Sequence, residues 1–313
     1  MPLDPQVQMV LHHLSQTGDE ELSFANISPE EARQSMVMSA YAEHIEPVKR
    51  VEDSYIPGPE GSIPIRVYYP MKERNTYPAL VYYHGGGWVI GSLETHDNIC
   101  RALTNLAECV TISVDYRLAP EHKFPAAVED AYAAVKWIYD HHNEWQIDPE
   151  KIAVGGDSAG GNLAAVVSCL AKERQTPEII YQVLIYPATN FQADTVSLRE
   201  NSEGYFLTQE AMEWFKNHYL NSEADETNPL ASPLLNDNLA GLPPALVITA
   251  EYDPLRDEGE QYADKLRNAG VEAACSRYDG VIHGFISMAD IIDKGKEALK
   301  ETGAALKNAF NTN

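Results

Sequence analysis

Positive charge is what this chain most lacks: 23 Lys and Arg residues face 47 Asp and Glu, a formal net charge of −24. An acidic surface repels phosphate backbones and anionic headgroups, so nucleic acid and anionic membrane surfaces are disfavoured as partners, and solubility is the ordinary purpose of such charge. No apolar run approaches the roughly 18 residues of a membrane-spanning helix, so no stable membrane insertion is expected. The N-terminus has neither the basic nor the apolar part of a secretory signal, and a cytoplasmic location is the expectation. Cysteine is scarce as well. Cys100, Cys109, Cys169 and Cys275 are scattered without a C-x-x-C pair, which points to reduced core thiols rather than a disulfide framework. His12-His13 and His141-His142 suggest a metal only superficially, because adjacent residues on a helix do not share a face. Internal repeats, low-complexity tracts and long linkers are absent too.

What is present suits one large α/β domain with a modest insertion, since 313 residues with 44% hydrophobic content can bury a sizeable core. Asp4-Pro5 is a helix-start signal, and Val7, Val10, Leu11 and Leu14 follow at helical spacing. A second helical pattern runs from Pro29 to His44 with Ala32, Met36, Met38 and Tyr41; both helices precede the first strand and are candidates for a lid. Strands are expected at Val48 to Ile56, Ile63 to Tyr69, Leu80 to Tyr83, Cys109 to Val114, Ile152 to Val154, Ile179 to Ile185, Leu246 to Ala250 and Ala273 to Tyr278. The later ones alternate with helices, which argues for a mostly parallel sheet. One of those helices, Pro125 to His142, places Val128, Ala131, Tyr132, Val135 and Ile138 on one face. Between Ala188 and Asn228 the alternation breaks, and a second lid segment is expected there. The division is therefore a core of residues 46–188 and 225–313 under a helical cap of 1–45 and 189–224.

The chemistry concentrates at Gly156-Asp157-Ser158-Ala159-Gly160-Gly161, between the apolar run Ile152-Ala153-Val154 and an apolar helical segment. Strand, sharp turn and helix in that order hold a serine in strained geometry with its hydroxyl exposed. The G-x-S-x-G pattern alone arises by chance in about one chain in ten of this size, so a second signal is needed. It lies upstream, where Ala79 to Tyr83 runs into His84-Gly85-Gly86-Gly87-Trp88. Acyl transfer needs N–H donors aimed at the oxygen that becomes negative, and side chains there would block approach. The N–H groups of Gly85, Gly86 and Ala159 are the expected donors. A serine also needs a base held by a carboxylate. Asp253, at the end of the strand Leu246 to Ala250, is the best acid, ahead of Glu251, Asp257 and Asp279. Asp257 and Glu258 suit the positive N-terminus of the next helix. His283, in the turn after Ala273 to Tyr278, is the best base. His84 and Asp157 are expected to fix turns by hydrogen bonding to backbone rather than to react.

The order Ser158, Asp253, His283 is that of an α/β-hydrolase, and the motifs resemble those of the hormone-sensitive-lipase family of carboxylesterases, which is the bacterial family IV. The resemblance extends through Asp115 to Glu121, Phe124 to Ala127, Asp253 to Asp257 and His283 to Phe285, from about residue 79 to 285, with no departure in the catalytic pattern. It implies an α/β-hydrolase fold with a helical cap, no cofactor, and hydrolysis of short- to medium-chain acyl esters through an acyl-enzyme. Trp88, Phe206, Leu207, Met212 and Phe215 read as core or as pocket lining, and pocket lining is the expectation because the family's cap supplies such residues. The loop's glycines leave room for esters of bulky or tertiary alcohols. An amidase, lactonase or small peptidase would use the same residues, whereas the related plant hormone receptor lacks a complete triad. The expected partner is a small-molecule ester, acted on by a monomer or homodimer.

Overall fold

Runs such as Ala79-Leu80-Val81-Tyr82-Tyr83 are apolar on both faces, and they are stable only in a sheet covered by helices on both sides. The computed structural model, which describes residues 1–17, 27–39 and 45–311, has that architecture. Eight strands, β1 (Arg50–Gly58), β2 (Gly61–Tyr69), β3 (Tyr77–Tyr83), β4 (Val110–Val114), β5 (Ile147–Asp157), β6 (Tyr181–Ile185), β7 (Ala245–Tyr252) and β8 (Ala273–Ile282), form one sheet. Their order is β1-β2-β4-β3-β5-β6-β7-β8. The β1–β2 hairpin joins β4 antiparallel, and every pairing from β4 to β8 is parallel. Central β3 is held on both sides, with Val81 opposite Ile112 and Val154.

All eight expected strands are present, and several are longer than their apolar runs, β5 and β8 most of all. β5 begins at Ile147 because Tyr77 pairs there before an irregularity in β3, and the polar stretch Asp148 to Lys151 hides this extension from a hydropathy reading. β8 likewise continues to Ile282, opposite Tyr252.

The helices are α1 (Pro5–Thr17), α2 (Pro29–Ser39), α3 (Asp97–Ala107), α4 (Ala126–Asp140), α5 (Ala159–Arg174), α6 (Val196–Glu200), α7 (Gln209–Tyr219), α8 (Arg256–Asn268) and α9 (Asp293–Asn311). α4 buries the predicted face of Val128, Ala131, Tyr132, Val135 and Ile138. Asp4 starts α1 by accepting the Gln6 N–H at 2.9 Å. Ser28 and Glu31 start α2 as a reciprocal capping box. The predicted continuation of α2 through Tyr41 to His44 lies outside the described residues, as do residues 18–26 of the expected first cap segment. The four cysteines are unpaired. No helix among the described residues is long and apolar enough to cross a membrane.

Candidate active site

The carboxyl ends of β3, β5, β7 and β8 converge on one cavity. β5 delivers Ser158, the residue between the strand and α5, with φ +55° and ψ −117°, a conformation that costs energy for any side chain with a Cβ. The turn is tight enough that a Cβ on Gly160 would lie 1.9 Å from the Tyr83 carbonyl oxygen, so only glycine fits there. Ser158 is fixed by its own N–H, which donates to Ile185 O at 2.8 Å.

β7 ends in Asp253 and β8 in His283. His283 Nε2 lies 3.0 Å from Ser158 Oγ, and His283 Nδ1 lies 2.7 Å from Asp253 Oδ2. Asp253 is fully buried, and its other oxygen accepts the Leu255 N–H at 2.8 Å. The carboxylate therefore fixes the tautomer with the proton on Nδ1 and leaves the Nε2 lone pair to receive the serine proton.

β3 ends in the glycine loop, and here one expectation is corrected. Gly85, predicted as an oxyanion donor, directs its N–H away from the space beside Ser158, to Asp157 Oδ1 at 3.1 Å. Its carbonyl is 2.7 Å from His84 Nδ1. The N–H and the carbonyl of Gly85 are thus both committed to structure. The N–H groups of Gly86, Gly87 and Ala159 carry no hydrogen bond among the described residues, and all three residues line the cavity. Gly86 has φ +112°, and a Cβ there would collide with Ile90 O at 2.3 Å. Gly87 offers an N–H that sequence reasoning missed. Asking which group satisfies a buried Asp157 would have removed Gly85 and left the next glycine.

Asp157 itself accepts the Tyr82 hydroxyl at 2.8 Å and sits 3.3 Å from His96 Nε2. Burial opposes its ionisation, yet His96 and the Tyr82 hydroxyl hold its carboxyl below the usual carboxylate range. His84 is stacked on Tyr116 at 4.2 Å, and burial pushes its imidazole down to about 3, so it stays neutral. Both residues fix the turn, as anticipated.

The cavity measures about 1640 Å³. Trp88, Phe206, Leu207, Met212 and Phe215 all lie on its wall, together with Ser158 and His283. Two further residues line the wall that the sequence did not place there. Tyr186 is buried with its ring 4.5 Å from His283, and its hydroxyl has no hydrogen-bond partner. Glu258 is 2% exposed and accepts the N–H groups of Thr189 and Asn190 at 2.5 and 3.1 Å. Burial raises its carboxyl to about 8 against the pull of those two bonds. It lies in the first turn of α8, as predicted, but holds the loop after β6. Among the described residues no group of three or more His, Cys, Asp or Glu side chains could hold a metal ion.

A family model described as the alpha/beta hydrolase fold matches residues 80–287. The chain is 48% identical to the carboxylic ester hydrolase LipN of Mycobacterium tuberculosis over 76% of its own length and 65% of LipN. It is 39% identical to an arylesterase of Saccharolobus solfataricus, covering 99% of this chain and 100% of that protein. Its structure superposes on a hyperthermophilic esterase from the archaeon Pyrobaculum calidifontis with a TM-score of 0.94 at 49% identity, over 98% and 99% of the two chains.

Proposed function

The chain belongs to the hormone-sensitive-lipase-like family of α/β-hydrolases and is a carboxylesterase, and from that premise we propose that Ser158, His283 and Asp253 are its catalytic triad, acting on short- to medium-chain acyl esters. The observation that carries this reading is the unbroken pair of contacts at 3.0 and 2.7 Å from serine to imidazole to buried carboxylate. Ser158 Oγ attacks the ester carbonyl as His283 Nε2 takes its proton, while Asp253 stabilises the imidazolium. The oxygen that becomes negative is bound by the N–H groups of Gly86, Gly87 and Ala159, which have no competing acceptor among the described residues. The tetrahedral adduct collapses, His283 returns the proton to the departing alcohol, and the acyl group stays on Ser158. Water then attacks the acyl-enzyme, giving its proton to His283, which passes it to Ser158 Oγ as the second adduct collapses and the carboxylic acid is released.

The cap assigned to residues 1–45 and 189–224 covers this centre in our reading. Its support is that Met9, Met36 and Met212, from α1, α2 and α7, share the cavity wall with Ser158. A wall of this size also suits bulky alcohol groups, and a cytoplasmic setting fits the four free thiols.

The test is hydrolysis of a p-nitrophenyl ester series by the wild type and Ser158→Ala, both checked for folding. The substitution should lower turnover on the order of 10⁶-fold. Substantial residual turnover would point to another nucleophile, and higher kcat/KM on matched amides would move the protein to the amidases.

A further inference from the structure

The cavity wall draws on both buried clusters of the molecule. Trp88, Ile90, Leu207 and Phe215 belong to the same cluster as Ala32 of α2. Phe206 and Met288 pack against the cluster that contains Phe285, next to His283. The alcohol oxygen must leave within reach of His283 Nε2, which assigns the alcohol to the wall beside His283 and the acyl chain to the wall along the glycine loop.

α2 supplies Ala32, Ser35 and Met36 to the cavity wall. Next to Ala32, Arg33 reaches the core with all three guanidinium nitrogens. Nε donates to Val89 O at 2.8 Å and Nη2 to Ala119 O at 2.8 Å. Nη1 and Nη2 grip the two oxygens of Glu121 at 2.8 and 2.7 Å. The contacts converge on the turn that carries the oxyanion donors: Val89 N donates to Gly86 O, and Ala119 N donates to Trp88 O at 2.9 Å. A half-exposed ion pair alone contributes little. Here the planar fork also satisfies two backbone carbonyls, which a lysine cannot do at once.

We propose that Arg33 is a positioning residue that sets the acyl-length limit of the esterase by clamping α2 against the Trp88–Ile90 turn. It touches no reacting atom and acts through α2, whose Ala32 and Met36 line the cavity. The proposal rests on the serine-esterase reading above.

The experiment measures kcat and KM on p-nitrophenyl acetate through decanoate for the wild type, Arg33→Met, Arg33→Lys and Glu121→Gln, with Tm recorded for each. Ser158→Ala serves as the control. Release of α2 should admit one or two more methylenes, raising the decanoate-to-acetate ratio of kcat/KM by about tenfold in Arg33→Met. The gain should appear in KM for long esters, with kcat on acetate within about twofold of the wild type. Arg33→Lys should restore part of the profile. Glu121→Gln, which leaves the two carbonyl bonds, should shift it in the same direction by less, and it decides the matter if Arg33→Met does not fold. An unchanged profile, or an equal loss at every chain length, would overturn the clamp. Equal activity of the wild type and Ser158→Ala would instead overturn the triad reading on which it rests.

Discussion

Asp157 illustrates how much of the site depends on a residue that need not meet the substrate. Two donors converge on its buried carboxylate, Tyr82 Oη and Gly85 N, with His96 Nε2 beside it at 3.3 Å, and the second fixes the peptide before the proposed oxyanion donors. Replacing Asp157 by Asn turns one acceptor into an NH₂ facing donors, so the Gly85 peptide should loosen. Because one lost oxyanion donor costs about 10² to 10³ in turnover, Asp157→Asn should lower kcat by about 10 to 100-fold with KM little changed. Steady-state kinetics beside a melting curve would check this, and a rise in KM at constant kcat would contradict it.

At the scale of elements, regular periodicity was legible and irregular contacts were not. The eight apolar runs and the face of α4 could be read because strand and helix periods are written locally. Ser158, Asp253 and His283 could be paired because each follows a strand, and parallel strands bring their carboxyl ends together. The direction of the Gly85 N–H, the placement of Tyr186 against His283, and the hold of Glu258 on the loop after β6 depend on residues between 68 and 97 positions away. No local pattern encodes them. Glu258 leads to a prediction about that loop. Its folded value of about 8 lies above the ordinary carboxyl value, so the folded state binds the extra proton. The resulting stability is complete below the ordinary value and is lost as pH rises toward 8. Glu258→Gln retains an acceptor for Thr189 and Asn190 and removes the titration. The wild-type Tm should therefore fall more steeply than that of the variant between about pH 5 and 9, and parallel curves would refute this role.

For the whole molecule, a net charge of −24 is the dominant long-range property. Raising salt from about 10 mM to about 1 M shortens the screening length from about 30 Å to about 3 Å. Self-repulsion should weaken, and Tm should rise by several degrees. KM for esters carrying a free carboxylate should fall relative to that of neutral esters of equal size. Calorimetry and paired substrates would measure both, and a salt-independent KM ratio would show that the acidic field does not reach the cavity. The spacing of the proposed triad along the chain also bears on biosynthesis. Ser158 and His283 are 125 residues apart, and the strands that carry the acid and the base are the last two in the sheet. At translation rates of about 5 to 20 residues per second, roughly 6 to 25 seconds separate the synthesis of the serine from that of the histidine. A nascent chain therefore carries its nucleophile without its base over that interval, and hydrolytic activity arises only after His283 has been added.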